Sequence, residues 1–302
     1  MSNRVSLLRS ALQRRQALVV PGCHDALSAR IVEHAGFEAI QISGFGLAGS
    51  LLGKPDVGLM DMKDILDITG HITRAVKIPV MADIDTGGGN AINAAVLAER
   101  LLEMGVAGVN IEDQVFPKRC GHMEGKQVTD AEEMVGKIRA MADTRVRLGK
   151  DIVINARTDS FAVHGLADAI ERANLYLHAG ADMAFIDGIG TRADIQRAVR
   201  DVRGLLSVNL MDAVTGVRTQ LLPIPELAAI GVARVSIPVA SILVMHRALT
   251  DFFVALRAAP DGILPEQTQR VTSFAEYTGF VGLPEYHALE RRYLPALVPA
   301  GR

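Results

Sequence analysis

Short apolar runs alternate with longer segments of helical periodicity over most of the chain. The runs are apolar at successive positions rather than at every second one, which is typical of parallel strands covered by helices on both faces. Eight such β–α units over about 250 residues predict a (β/α)8 TIM barrel of the α/β class rather than an open doubly wound sheet. The predicted strands are residues 17–21, 39–43, 79–85, 108–113, 151–156, 183–187, 205–209 and 234–238. The helices between them include residues 25–34, 90–104, 130–147 and 166–178.

The two ends of the chain depart from this alternation. The N-terminal segment is rich in arginine, as mitochondrial presequences are, but we favour an amphipathic helix because the chain runs without a break into the first strand. Residues 266–280 and 284–293 have the pattern of two extra helices. We therefore expect a single barrel domain over residues 1–302, in which segment 259–302 is a helical arm that caps the barrel or reaches a neighbouring subunit.

Composition limits the classes of protein to which the chain can belong. It has 302 residues, with 32 Lys and Arg against 34 Asp and Glu, and without a basic stripe we expect no nucleic-acid partner. Hydrophobic residues make up 49% and charged residues 22%, as in folded globular chains. The longest apolar stretch, residues 235–245, is too short to span a bilayer, so we expect no membrane partner. Two cysteines make no disulfide framework, which favours a cytoplasmic location.

Polar residues follow the predicted strands at the end where a barrel carries its active site. Gathered carboxylates are costly without a counter-ion, and Mg²⁺ prefers oxygen ligands of this kind. A single acid at such a position more often caps the next helix, but Asp83, Asp85 and Glu112 together predict a site for Mg²⁺, with Mn²⁺ as the alternative. Asp83 and Asp85 are two residues apart in a predicted strand, so both should point the same way. The polar strand-end residues include Ser43, Asp83, Asp85, Glu112, Arg157, Asp187 and Asn209.

A long loop carries the sharpest chemical signal. Residues 114–129 form a 16-residue connection that contains Lys118-Arg119-Cys120-Gly121-His122, and loops of this length are often active-site lids. Basic neighbours favour the thiolate, so Cys120 is a candidate to donate and recover a proton. A buried small hydrophobe and a zinc ligand are the other interpretations, although the chain has no C-x-x-C motif. A second turn, Ser43-Gly44-Phe45-Gly46, offers a hydroxyl and backbone N–H groups to a carboxylate.

Six stretches of the chain match motifs of one superfamily. They are Asp25-Ala26-Leu27-Ser28-Ala29, Lys54-Pro55-Asp56-Val57-Gly58, Asp83-Ile84-Asp85, Ile111-Glu112-Asp113-Gln114, Lys118-Arg119-Cys120-Gly121-His122 and Ala156-Arg157-Thr158-Asp159. Through these motifs the chain resembles the isocitrate lyase and phosphoenolpyruvate mutase superfamily over nearly its whole length. The K-R-C-G-H loop is similar to that of the lyase branch, which includes 2,3-dimethylmalate lyase and methylisocitrate lyase, whereas the loop of the phosphonate mutase proper lacks the cysteine.

The resemblance implies roles for the strand-end and loop residues. Asp85 is expected to ligate Mg²⁺ directly, while Asp56, Asp83 and Glu112 hold its water ligands. Cys120 is expected to protonate the carbanion, with Arg157 and His122 as further catalytic residues. The residues expected to bind the carboxylate substrate are Ser43, Gly44, Phe45, Gly121, Arg157, Asp187 and Asn209.

The reaction implied is a retro-Claisen-type cleavage of a 2-hydroxy dicarboxylate or tricarboxylate. Its products are a 2-oxoacid such as pyruvate and a carboxylic acid, and the resemblance also implies a homotetramer whose subunits exchange a C-terminal helix. Three alternatives use the same scaffold: a carboxyphosphonoenolpyruvate mutase-like phosphonate enzyme, an oxaloacetate hydrolase or decarboxylase, and a barrel that has lost catalysis and binds a metabolite.

Three positions depart from the pattern of the isocitrate and methylisocitrate lyases. Gln41 stands two residues before Ser43, where those enzymes usually have a tyrosine proposed as the base, and a glutamine cannot act as one. Asp187 replaces a glutamate, and the last strand continues as Ile237-Pro238-Val239-Ala240-Ser241 instead of Tyr-Pro-Leu-Ser. The sequence therefore leaves the base and the exact substrate open.

Overall fold

The structure is a computed structural model that describes residues 2–121, 123–210, 222–259 and 271–294. Its strands are parallel and follow one another around a closed barrel, in which β8 pairs with β1 between Arg234 and Leu18. This arrangement confirms the predicted (β/α)8 TIM barrel, and each predicted apolar run overlaps a strand. The strands are β1 (Leu18–Cys23), β2 (Ile40–Ile42), β3 (Val80–Asp83), β4 (Gly108–Glu112), β5 (Val153–Thr158), β6 (Met183–Ile186), β7 (Leu205–Asn209) and β8 (Arg234–Ile237).

Side chains alternate between the two faces of each strand. Outward residues such as Val109 and Ile154 belong to the core between the barrel and its helices. Inward residues change in character along the barrel axis, because Met81 and Val153 form an apolar layer at the amino ends of the strands. Polar residues, most of them neutral, follow in the middle, and further charged residues collect at the carboxyl ends. The buried polar middle layer includes Gln41, Asn110, Asn155, Ser207 and Arg234.

Helices connect the strands on the outside of the barrel. Capping residues set where they begin and end: Asn90 accepts hydrogen bonds from the backbone N–H groups at the start of α5, and Gly105, with φ of +75°, ends that helix. The helices are α1 (Ser2–Gln13), α2 (Ala26–His34), α3 (Gly44–Leu47), α4 (Met62–Ala75), α5 (Ala91–Met104), α6 (Ala131–Arg147), α7 (Phe161–His164), α8 (Leu166–His178), α9 (Arg192–Asp201), α10 (Ile224–Ile230), α11 (Ala240–Ala258), α12 (Phe274–Phe280) and α13 (Leu283–Tyr293).

The predicted N-terminal helix is α1, and it closes the bottom of the barrel. Leu8 and Leu12 are fully buried in one cluster with Met81, Val153 and other inward residues of the strands. The apolar layer at this end is therefore sealed from solvent by a helix, which leaves the carboxyl ends of the strands as the open face.

The chain divides into two compact units, residues 1–244 and 245–302. The single domain and the helical arm over residues 259–302 stay predictions, and residues 260–270 and 295–302 of that arm lie outside the described residues. No helix in the described part of the chain is long and apolar enough to cross a bilayer.

The second unit contains α12 and α13, which lie within the two helices predicted there or within one residue of them. Residues 266–270 of the first predicted helix lie outside the described residues. Ser273 caps the start of α12: its hydroxyl oxygen accepts from the N–H of Glu276, whose carboxylate accepts from the N–H of Ser273.

Candidate active site

A cavity lies at the carboxyl ends of the strands, where the sequence predicts the active site. Its volume is about 40 Å³, which holds about three water molecules. Residues 114–129, which we call the lid loop, contribute part of its wall. The cavity is lined by Gln41, Ser43, Phe45, Asp56, Asp83, Lys118, Cys120, Gly121, Arg157, Phe185, Asp187, Asn209, Ser236, Pro238 and Val239.

Most residues of the predicted site therefore meet at one place. Gly44, Asp85 and Glu112 are not in the lining, but each contacts a residue that is. His122 lies outside the described residues.

The two acids after β3 reach the site by different backbone routes. β3 ends at Asp83, so the prediction that Asp83 and Asp85 share one face of a strand is wrong. Asp85 has φ of +48°, in the left-handed region that few residues other than glycine adopt, and its carbonyl accepts from the N–H of Glu112 at 2.9 Å. Burial, reinforced by the nearby Asp85 carboxylate, raises the pKa of Asp83 to about 6.

The buried ammonium of Lys118 lies between two of the predicted metal-site acids. Its Nζ is 2.6 Å from Asp56 Oδ1 and 2.8 Å from Asp85 Oδ1. Burial alone would lower the pKa of Lys118, but the carboxylates of Asp85, Glu112 and Asp56 outweigh it and hold that pKa well above its ordinary value. Lys118 is therefore charged and acts as the counter-ion of this cluster.

Arg157 is the second cation of the site and is held by several carboxylates. Its Nε and Nη2 donate to the two oxygens of Asp159 at 2.8 Å each, and they lie 3.3 Å from Glu112 Oε2 and 3.4 Å from Asp187 Oδ2. Burial opposes the charge of Arg157, but these acids raise its pKa well above the ordinary value. For Glu112 burial prevails and raises the pKa well above the usual range, although Arg157 and Lys118 oppose the shift.

Lys126 ties the lid loop to the barrel. Its Nζ donates to the Gly121 carbonyl at 2.6 Å, to Asp159 Oδ1 at 2.9 Å and to Asp187 Oδ2 at 3.2 Å. A Cβ atom on Gly121 would lie 2.3 Å from Asp187 Oδ2 and 2.4 Å from Arg157 Nη2, so only glycine permits the loop to approach this closely. The loop is thus fastened to the same acids that hold Arg157.

The acids fit a hard divalent cation through their chemistry. Asp56, Asp83, Asp85 and Glu112 offer oxygen donors of the kind that Mg²⁺ prefers. Glu112 Oε1 is buried without a hydrogen bond, and Asp85 Oδ1, although paired with Lys118, makes no hydrogen bond of good geometry. Within the described residues no three such side chains converge closely enough to hold an ion. In this structure the positive charge beside Asp56 and Asp85 is that of Lys118.

The segment after β2 is more ordered than the loop predicted there. Ser43 is the N-cap of α3, and its hydroxyl oxygen accepts from the Gly46 N–H at 3.1 Å. The Gly44 N–H donates to Asp83 Oδ2 at 3.2 Å. The backbone groups predicted to grip a substrate carboxylate are thus engaged within the protein, while Ser43 and Phe45 line the cavity.

The ends of the lid loop are pinned by backbone pairing. Gln114 and Val128 form an antiparallel bridge, and the Val115 N–H donates to the Gln127 carbonyl at 2.9 Å. Cys120 lies at the centre of the loop, where its N–H donates to the Asp56 carbonyl at 3.1 Å. The cysteine is therefore placed at the cavity, beside the acids of the predicted metal site.

Sequence reasoning did not assign site roles to several residues that the structure brings in. Asp159 is two residues beyond Arg157 but lies just after the end of β5, so strand alternation does not predict their contact. Lys126 offered no periodic signal, because its position depends on the path of the lid loop. Asp113 accepts from Thr158, Tyr176 and the Asp159 N–H, and so fixes the backbone that carries Asp159.

Known proteins are similar to this chain over most of its length. The profile of the family described as phosphoenolpyruvate phosphomutase matches residues 8–257. The chain is 37% identical to 2,3-dimethylmalate lyase of Eubacterium barkeri, over 96% of this chain and 98% of that protein. It is 38% identical to the chloroplastic carboxyvinyl-carboxyphosphonate phosphorylmutase of Arabidopsis thaliana, over 93% of this chain and 82% of that protein.

Two solved structures superpose closely on this chain. A crystal structure of 2,3-dimethylmalate lyase superposes with a TM-score of 0.89 at 32% identity, covering 100% of this chain and 99% of the other. Oxaloacetate acetylhydrolase, solved with the inhibitor 3,3-difluorooxalacetate, superposes with a TM-score of 0.85 at 30% identity, covering 96% of this chain and 97% of the other.

Proposed function

The chain belongs to the phosphoenolpyruvate mutase/isocitrate lyase superfamily, a family of enzymes, and from this membership we propose that it is a Mg²⁺-dependent carbon–carbon lyase. Its substrate is a 2-hydroxy dicarboxylate or tricarboxylate of the dimethylmalate or methylisocitrate type. Its products are a 2-oxoacid such as pyruvate and a carboxylic acid. The observation that carries the proposal is the position of Cys120, on a closed loop, at a cavity lined by acids and Arg157.

In this reaction the C2–C3 bond breaks and its electron pair goes to C3, while the C2 hydroxyl gives its proton to Asp187 Oδ1 and becomes a carbonyl. Asp187 Oδ1 is buried without a hydrogen-bond partner among the described residues, so it is available to accept from a substrate hydroxyl. Arg157, held in place by Asp159, stabilises the negative charge that develops on the substrate oxygens. Cys120 donates its thiol proton to C3.

Mg²⁺ supplies Lewis-acid stabilisation of the forming oxoacid when it is bound. Asp85 is the proposed direct ligand, and Asp56, Asp83 and Glu112 hold water ligands. Lys118 neutralises part of this cluster before the cation arrives. The lid loop, fastened by Lys126, excludes water from the carbanion until Cys120 has protonated it.

A substrate panel tests the proposal. The purified enzyme with MgCl₂ is offered 2,3-dimethylmalate, methylisocitrate, citramalate and oxaloacetate, and pyruvate, glyoxylate and oxalate are measured as products. Release of a 2-oxoacid from a hydroxy dicarboxylate or tricarboxylate is the expected result. Oxalate from oxaloacetate alone would support the hydrolase alternative, and no turnover of any acid would contradict the lyase assignment.

The metal is tested separately. Asp85→Ala should lower kcat/KM by at least about 10³-fold, because Lewis-acid stabilisation is worth several kcal/mol and about 1.4 kcal/mol corresponds to tenfold in rate. Mg²⁺ binding, measured by calorimetry, should be lost in the same variant while its circular dichroism spectrum is unchanged. Full activity after exhaustive chelation would contradict the assignment.

A further inference from the structure

A fully buried arginine lies in the interior of the barrel with only neutral hydrogen-bond partners. Arg234 on β8 has no exposed surface. Its Nη1 donates to Ser207 Oγ at 2.8 Å, its Nη2 donates to Gln41 Oε1, and its Nε has no partner among the described residues. Burial lowers the pKa of Arg234 to about 9, with the nearby Asp83 opposing the shift, so the group is charged at neutral pH. A buried charge held only by neutral groups is costly.

The Arg234 guanidinium determines the orientation of the Gln41 amide. A guanidinium has donors and no acceptor, so Gln41 must present Oε1 to Arg234 rather than its amide nitrogen. Gln41 is also one of the residues that line the cavity, with Ser43 and Asn209. We find no hydrogen bond from Gln41 Nε2 within the described ranges. The amide nitrogen, with two N–H donors, is therefore the end available to a ligand.

We infer that Gln41, oriented by Arg234, donates a hydrogen bond to an anionic oxygen of the bound substrate at the floor of the cavity. The inference rests on the proposed function for the class of substrate, a hydroxy dicarboxylate or tricarboxylate. Donation from the guanidinium to Oε1 polarises the amide and strengthens its N–H groups as donors. The charge of Arg234 thus acts on the ligand through the Gln41 amide, without a proton transfer. The acids Asp56, Asp83 and Asp187 line the same cavity, so a donor here offsets their repulsion of an anionic substrate.

Gln41→Glu is the sharpest test, because it predicts opposite effects on stability and binding. The carboxylate keeps an oxygen for Arg234 and gives that buried cation a charged partner, so the Tm should stay equal or rise. The N–H donors are lost and a negative charge faces the ligand, so the Kd for oxalate, measured with MgCl₂ by calorimetry, should rise at least about 30-fold. Kd values within about threefold of wild type would overturn the inference.

A matched control is Asn155→Asp, which makes the same amide-to-carboxylate change inside the barrel. Asn155 is fully buried and its Nδ2 donates to Asn110 Oδ1 at 2.7 Å, but it is not part of the cavity lining. This variant should lose Tm and keep the Kd within about threefold. An equal loss of affinity in both variants would show a general effect of charge and would overturn the inference.

Gln41→Met serves if Gln41→Glu does not fold, and it should raise the Kd by about 10-fold through loss of the donors alone. The positioning role of Arg234 is tested by a double-mutant cycle. Because Arg234 acts through the amide, Gln41→Met combined with Arg234→Met should bind as weakly as Gln41→Met alone, whereas additive losses would contradict positioning.

If the wild type cleaves no hydroxy acid but binds oxalate in a Gln41-dependent way, the proposed function is wrong and this inference stands. If it cleaves them and Gln41→Glu binds normally, this inference alone is wrong.

Discussion

At the scale of single residues, each cluster of carboxylates in the site is in contact with a buried cation. Lys118 forms ion pairs with Asp56 and Asp85, and Arg157 forms ion pairs with Asp159 and Glu112. Such pairing lets charges remain in a buried site at neutral pH, because an isolated buried charge would be too costly. Cys120 lines the same cavity as Lys118 and Arg157.

Cys120 gives the first prediction at this scale. Cys120→Ser preserves the size of the side chain, but a hydroxyl is a far weaker acid than a thiol. Because a positioned general acid contributes about 10² to 10⁴ in rate, kcat should fall by that factor while KM changes little. Mg²⁺ affinity, measured by calorimetry, should be unchanged because the thiol is not a proposed ligand. A variant with near-normal kcat would remove the cysteine from the mechanism.

Asp83 gives a prediction about stability and pH. Burial raises its pKa from 3.8 to about 6, so between these values the folded state binds more protons than the unfolded state, and metal-free stability falls as pH rises. Asp83→Asn cannot ionise, so at pH 7 without metal it should unfold at a higher urea concentration than wild type, and the difference should shrink toward pH 4.

Asp151→Asn is the control with the opposite sign. A hydrogen bond from Arg9 lowers the pKa of Asp151, which stabilises the fold above that pKa, so this variant should be less stable than wild type at pH 7. An Asp83→Asn protein no more stable than wild type at pH 7 would contradict the account of Asp83.

At the scale of elements, the lid loop is held by side chains that bind acids outside it, Lys118 and Lys126, and by backbone pairing at its ends. Lys126 donates one hydrogen bond within the loop, to the Gly121 carbonyl, and two to the barrel, to Asp159 and Asp187. Hydrogen bonds to charged groups contribute about 1.5 to 3 kcal/mol each. Lys126→Met should therefore raise amide hydrogen exchange in residues 119–127 by at least about 10-fold, measured by mass spectrometry.

The control for this element is Lys63→Met on α4, since Lys63 pairs with the exposed Asp67 on its own helix. Exchange in the lid loop should not change in that variant. Unchanged exchange in Lys126→Met as well would mean that the loop is held by other contacts.

At the scale of the whole molecule, the second unit exposes many large apolar side chains. Patches of this kind on a folded chain mark interaction surfaces, and homo-oligomers with closed symmetry are the commonest assemblies. They include Leu249, Phe253, Val254, Phe274, Tyr277, Tyr286, Leu289 and Tyr293.

We predict a homotetramer. Sedimentation equilibrium at micromolar concentration should give about 130 kDa, four copies of the 32.4 kDa chain. Substituting Phe253, which is 58% exposed, by Asp should shift the distribution toward smaller species. A wild-type protein that is only a 32.4 kDa monomer would contradict this prediction.

The barrel fold, and the end of the barrel that carries the site, could be predicted from the amino-acid sequence alone. Strand and helix positions follow from apolar runs and from caps such as Asn90 and Gly105, which are local properties. Because all strands are parallel, their carboxyl ends meet at one rim, and the residues that follow them could be placed together before any contact was known.

The ion pairs and hydrogen bonds between those residues, in contrast, could be seen only in the folded chain. Asp85 leaves the strand through a left-handed turn, Lys118 stands between two acids, and Lys126 reaches across from the lid loop. Arg234 meets Gln41 although 193 residues separate them. Such pairings depend on loop paths and on the closure of the barrel, whereas sequence periodicity reports only which face of its own element a residue occupies.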